Sequence, residues 1–207
     1  MRKTFAFALA VVVAGAMSLL PSQAQDKKTD KEKLKINEED RVPYVPTDEK
    51  VVAAMLKLAG VKEGETVYDL GCGDGRIVIA SVAEFKAKRG LGVDYDPDRL
   101  TDCDKSVKKA IADKRLTDET AKRLTFKQGD VTKMTPEDFK DVDVVTLYLL
   151  PAVNLKLKPI LQKGLKPGAR VVSHDFHMGD DWKADKEEKV EGSNRTHTVY
   201  LWTIKGK

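Results

Sequence analysis

The sequence predicts an α/β protein built on a doubly wound sheet of seven strands, mostly parallel and finished by a C-terminal antiparallel hairpin. Three observations carry this expectation. Residues 66–70 form a short strand-like run that meets glycines at 71, 73 and 75, and an apolar helical periodicity starts directly afterwards. Strand-like and helix-like runs then alternate, the order that builds parallel strands joined by crossover helices. Residues 186–190 and 196–204 alternate with period two, which reads as a closing hairpin.

With 207 residues, the chain holds one substantial domain and a tail. Arg2 and Lys3 precede an apolar run from Phe5 to Leu20, and Ser22 and Ala24 are small residues placed for signal-peptidase cleavage before Gln25. Residues 1–24 are therefore expected to be an export signal, making the mature protein periplasmic or secreted. The competing reading is an uncleaved membrane anchor, although the run falls short of the ~20 residues a spanning helix needs. After cleavage no stable membrane span is expected. Residues 25–40 are nearly all charged or polar, without apolar periodicity, and form a solvated linker. The domain is expected over 41–207. Two of the +4 net charges belong to Arg2 and Lys3, so the remainder is only weakly basic, which argues against a nucleic-acid partner.

Within the domain, Pro43 and Pro46 impose an extended entry, and Thr47 is placed to cap a helix with Asp48 and Glu49 in its first turn. Val51, Met55 and Leu58 share one face of that helix, and Gly60 ends it. After strand 66–70, a helix runs to about Phe85 and residues 91–94 form the second strand. Asp96-Pro97 is an N-cap followed by proline at the first helical position, opening a helix through Ile111. A helical patch at 117–122 precedes strand three, 124–128. Residues 142–150 form the longest apolar run after the leader and suit a central strand. Pro159 is expected to divide 154–165 into two short helical pieces, and strand five follows at 169–173.

The glycine turn is a nucleotide-cradling turn. Glycines at 71, 73 and 75 allow positive φ and close approach of a ligand, around Cys72 and against the first amides of the next helix. Asp94 ends strand two, where an acid accepts hydrogen bonds from both ribose hydroxyls. Asp130 follows strand three, placed to accept from an adenine amine while the Val131 amide meets a ring nitrogen. With Asp69, each of three successive strands ends in or is followed by an acid on the edge where open parallel sheets bind ligands. Tyr44, in the extended segment, either folds over that ligand or is merely exposed. Cys72 and Cys103 either pair or remain buried free thiols.

The spacing D-x-G-x-G-x-G at 69–75 resembles the first motif of the class I S-adenosylmethionine-dependent methyltransferases, with their Rossmann-like sheet. Val-Pro-Tyr-Val-Pro-Thr at 42–47, Asp-Leu-Gly-Cys-Gly-Asp-Gly-Arg-Ile-Val at 69–78, Leu-Tyr-Leu-Leu-Pro at 147–151 and Gly-Ala-Arg-Val-Val-Ser at 168–173 are similar to the mitochondrial-type protein lysine methyltransferases and their bacterial relatives. That family acts on the adenine nucleotide translocase and the ATP synthase c subunit. The resemblance implies S-adenosylmethionine as cofactor, with S-adenosylhomocysteine as product. It also implies that Asp69, Gly71, Gly73 and Gly75 hold the methionine moiety, Asp94 the ribose and Asp130 the adenine, under a segment carrying Tyr44 and Thr47. The implied acceptor is a protein lysine, membrane proteins included. Leu-Tyr-Leu-Leu-Pro replaces the Asn-Pro-Pro-Tyr of amide and nucleobase methylation, making those acceptors less favoured. Tyr148 either lines the acceptor channel or packs in the core, and His174 or Asp175 is a candidate base. A metal reading of His174, Asp175, His177 and Asp180 is set aside, because a strand end scatters alternate side chains and no further ligand is evident. The alternatives are a small-molecule methyltransferase and an exported module that binds the nucleoside without chemistry.

Overall fold

Strand order settles where a ligand can enter. In the computed structural model, which describes residues 44–206, β1 (Thr66–Leu70) pairs in parallel with β2 (Arg89–Asp94) on one side and β4 (Val144–Leu147) on the other. β3 (Leu124–Gln128) lies outside β2, and β5 (Arg170–His174) outside β4. The hairpin β6 (Lys186–Glu191) and β7 (Thr196–Thr203) completes seven strands in the order β3-β2-β1-β4-β5-β7-β6, with β7 antiparallel to β5. The winding direction reverses between β1 and β4, which opens a crevice at their carboxyl ends. The expected export signal, the linker and residues Arg41, Val42 and Pro43 lie outside the described residues. Among the described residues no helix is long and apolar enough to cross a membrane.

Side-chain alternation sorts the core onto two faces of the sheet. Val67, Val144 and Val172 pack with α1 (Glu49–Leu58) and α2 (Arg76–Ala83), while Leu70, Val145, Leu147 and Val171 pack with α5 (Pro151–Gly164). All four residues of β4 are buried, as expected of a central strand covered on both faces. α3 (Pro97–Ala112) starts at the Asp96 cap with Pro97 at its first position, as the sequence predicts. The short α4 (Asp118–Ala121) is closed by a Thr117–Thr120 capping box.

Three local expectations are corrected. Asp48, not Thr47, caps α1: its Oδ1 accepts from the Lys50 amide at 2.8 Å, which leaves the Thr47 hydroxyl for another partner. Strand four stops at Leu147 rather than Leu150, because Leu150 is already the cap of α5 and residues 148–150 must turn out over the sheet edge. α5 is one helix despite Pro159. Both Pro159 and Leu155, whose carbonyl loses its amide donor, are exposed, so water can satisfy that carbonyl.

The end of α5 is tightly packed. A Cβ added to Gly164 would overlap the backbone of Pro136, including its carbonyl oxygen. Gly164→Ala is expected to cost about 1–3 kcal/mol, the usual penalty for overpacking. Chemical denaturation should show a lower midpoint with unchanged slope; an unshifted midpoint would contradict this packing.

Candidate active site

The crevice at the carboxyl edge of the sheet forms a pocket of about 720 Å³, within the usual range for small-molecule sites. Tyr44, Thr47, Asp69, Gly71, Cys72, Gly73, Asp94, Asp130 and Val131 all line it. Tyr148 lines it too, beside Leu149, Leu150 and Phe176. Gly75 does not: its missing side chain leaves room behind the turn for the Phe126 ring and the Cys103 sulfur.

The turn between β1 and α2 is held largely by bonds to β2, with Asp74 Oδ1 accepting from the Arg76 amide at 3.2 Å. The amides of Gly71 and Cys72 donate to the Val93 carbonyl at 2.8 and 3.1 Å, tying the turn to β2. Gly73 has φ +54°, and a Cβ there would overlap the Tyr44 ring, so glycine is required both for the backbone and for the aromatic lid. Tyr44 is held from three sides. Its hydroxyl accepts weakly from the Asp74 amide at 3.4 Å, and Arg99 sits 4.7 Å from its ring centroid. Arg76, paired with Asp74, also donates to the Thr47 carbonyl at 2.8 Å and pins the segment down. Burial and the neighbouring Asp74 push the Tyr44 phenol up to about 12, so it stays protonated.

The three acids differ in what they have left to offer. Asp69 is fully buried; its Oδ1 accepts from Thr146 Oγ1 at 2.6 Å, while Oδ2 has no hydrogen-bond partner within the protein. Burial raises its pKa to about 7, with the Asp94 and Asp74 charges adding to the effect. Asp94 uses Oδ2 for the Gly73 amide at 2.8 Å and Oδ1 for the Asp96 amide at 3.0 Å, keeping one lone pair on each oxygen. Burial raises its pKa as well. Asp130 accepts on Oδ1 from the Thr132 amide and hydroxyl at 2.9 and 2.6 Å, capping a short 3₁₀ turn at Val131–Lys133. Burial opposes ionisation there, but Thr132 and Lys133 hold its carboxyl below the ordinary value.

Beyond the pocket wall lies a polar cluster that sequence reading found only in part. Thr47 Oγ1 is 3.2 Å from His174 Nδ1, and His174 Nε2 is 2.7 Å from His197 Nδ1. Asp175 Oδ2 lies 3.1 Å from His197 Nδ1 and 3.3 Å from His174 Nε2, and Arg195 holds the same oxygen from outside. The Tyr148 ring lies on the His174 ring with centroids 3.9 Å apart, so Tyr148 is at once pocket wall and cover for this cluster. His174 and Asp175 do not themselves line the pocket. Asp175 adopts φ +61°, and that turn of the backbone brings two consecutive side chains together that extended alternation would separate. The expectation of scattering is thus wrong for this pair, and His197, supplied by β7, is the further imidazole not anticipated. His177 and Asp180 are exposed and take no part. The ligating atoms of His174, Asp175 and His197 lie within 4.8 Å of one another, and they bond to each other and to Arg195.

Cys72 and Cys103 are free buried thiols with sulfurs 4.0 Å apart. Their hydrogen bond and burial push the Cys72 thiol up, so it remains protonated. Thr146, the partner of Asp69, had a faint signal in the sequence as a polar residue inside an apolar strand. Arg195, in the hairpin turn, and His197, at an ordinary position of the alternating strand, had none.

Comparison with known proteins gives consistent results. Residues 69–186 match the family described as the ANTKMT methyltransferase domain. A protein-lysine N-methyltransferase of Saccharolobus islandicus (strain REY15A) is 43% identical over 163 residues, covering 79% of this chain and 94% of that protein. An RNA methyltransferase from Salinibacter ruber, crystallised in complex with S-adenosyl-L-homocysteine, is 45% identical with a TM-score of 0.67, over 79% of this chain and 95% of that one. A ribosomal protein L11 methyltransferase of Nitrosomonas europaea is 29% identical over 54% of this chain but only 34% of its own length.

Proposed function

This chain belongs to the ANTKMT methyltransferase family, an S-adenosylmethionine-dependent enzyme of the class I fold, and from that premise we propose that it methylates the side-chain amine of protein lysines. The residues present fit the cofactor: the glycine turn leaves a cradle, and Asp69, which lines it, has one buried carboxylate oxygen without a protein partner. When bound, the cofactor supplies a methyl group on a cationic sulfonium. Asp69 Oδ2 would hold the methionine ammonium, Asp94 the ribose hydroxyls, and Asp130 with Val131 the adenine edge. Tyr44, Thr47 and Arg76 would keep water from above the turn.

The observation that carries the lysine reading is the acceptor wall. Tyr148, Leu149, Leu150 and Phe176 line it, and Val45 and Leu150 are 57% and 48% exposed at its rim. Such a channel strips water from an incoming ammonium and lowers its pKa, which favours the neutral amine that methyl transfer needs. It offers no amide side chain to grip a planar exocyclic amine. Holding donor and amine in line is where most of the rate enhancement is expected to originate.

RNA is the second reading, favoured by the Salinibacter ruber relative. Against it, the pocket's two guanidiniums are already committed, Arg76 to Asp74 and Arg99 to Asp102. The two readings separate when purified protein and isotopically labelled donor are incubated with protein and RNA fractions of one cell extract. Lysine residues should gain mass in steps of about 14 Da, one methylene each, plus the mass of the isotopic label. Label confined to RNA would overturn the proposal.

A further inference from the structure

A lysine arrives as an ammonium and must lose a proton before its nitrogen can attack. Desolvation makes that proton easier to lose but does not carry it out of a pocket walled by apolar side chains. One chain of polar atoms leads away from the wall. It starts at the Thr47 hydroxyl, which lines the pocket, passes both nitrogens of the His174 ring, which is 1% exposed, and reaches His197, which is 12% exposed. We propose that Thr47, His174 and His197 form the proton exit of this enzyme, with Asp175 as the anion that orients and stabilises the two imidazoles. This rests on the lysine reading above.

The transfer balances as follows. The ammonium gives one proton to Thr47 Oγ1 while the Thr47 hydroxyl proton passes to His174 Nδ1. The His174 Nε2 proton moves to His197 Nδ1, and His197 releases one from Nε2 to water. The neutral amine then forms its N–C bond as the C–S bond of the donor breaks. Both rings then carry their proton on Nδ1 and must turn over to restore the starting tautomers, after which each further methylation of the same nitrogen releases one more proton by the same path.

The surrounding groups suit a relay. His174 faces Asp175, His197, Arg195 and the Tyr148 ring. Burial holds its pKa down to about 4, with Arg195 and His197 opposing the pull of Asp175, so it passes protons on rather than retaining them. Burial opposes ionisation of Asp175, yet Arg195, the Thr198 amide and His197 keep it at about 2, so it is an anion throughout the working range. Its left-handed backbone is the kind of local strain found where function demands a fixed side chain.

The test is a pH–rate profile with His197→Ala, using the protein fraction of the extract as acceptor and donor-derived label in lysine as readout. Near pH 7 the rate should fall about 100-fold, the lower end of what acid–base assistance contributes. The loss should shrink toward pH 10, where a much larger fraction of lysine arrives already neutral, and added imidazole should restore part of the rate. Calorimetric affinity for S-adenosylmethionine should not change. Thr47→Val, which keeps the side-chain shape and removes the hydroxyl, should give the same pH signature and guards against a folding defect in the first variant. Wild-type rates at pH 7, or a loss equal at every pH, would overturn the relay alone. Label in RNA with none in lysine would overturn the lysine reading and the relay together.

Discussion

Asp94→Ala is expected to abolish measurable binding of S-adenosylmethionine. Asp94 performs two jobs at once. Its Oδ2 holds the Gly73 amide and its Oδ1 the Asp96 amide, so the carboxylate fixes the glycine turn to the end of β2 while its remaining lone pairs face the pocket. Removing it leaves both amides without their partner and, on the proposed assignment, takes away the acceptor for the ribose hydroxyls. Hydrogen bonds to a charged group contribute about 1.5–3 kcal/mol each. Losing two or more should therefore weaken binding by over 100-fold, since 1.4 kcal/mol is a factor of about ten. Isothermal calorimetry reads this directly, and circular dichroism on the same sample shows whether the sheet survives. A dissociation constant within a few-fold of the wild type would mean that the pocket is not the cofactor site.

Asp69→Asn should change both stability and binding, in opposite senses with pH. The carboxyl of Asp69 is raised from its ordinary value of 3.8 to about 7 in the folded protein. Between those values the folded chain keeps a proton that the unfolded chain has released, so rising pH destabilises the ligand-free wild type across that window. At 1.36 kcal/mol per unit the full effect is up to about 4 kcal/mol. Asparagine does not titrate. The stability of the variant relative to the wild type should therefore improve steadily from pH 4 to pH 8 and level off above it. Binding should respond the other way. An ionised Asp69 Oδ2 attracts a cationic ligand, so wild-type affinity should rise with pH through about 7, with proton release, whereas the variant should bind about 10- to 100-fold more weakly at pH 8 and show no such rise. Parallel stability curves for the two proteins would show that Asp69 is ionised throughout.

Much of the proposed cofactor half of the site is legible along the chain because its chemistry is local. Asp69 and the glycines at 71 and 73 lie within one strand and its turn, and Asp94 and Asp130 follow the next two strands at positions that parallel pairing brings to one edge. The acceptor half is less legible. Tyr148 can be singled out, but its dual position between the pocket and His174 depends on strand four ending early at Leu147. Thr47 reads as a helix cap until Asp48 takes that role and releases the hydroxyl to His174.

Period, turn chemistry and the placement of acids after strands were enough to predict a doubly wound sheet and its nucleotide edge, because each depends on neighbours a few residues apart, while the class of cofactor came from the resemblance of the motif at 69–75. Pairings across distance lay beyond that reading: Thr146 with Asp69, 77 residues away, Tyr44 over the turn at Asp74, 30 away, and His197 with His174, 23 away. The Thr146–Asp69 and His197–His174 contacts exist because β4 lies beside β1 and β7 beside β5 in one particular register. A shift of a single residue would turn each of these side chains to the opposite face of the sheet.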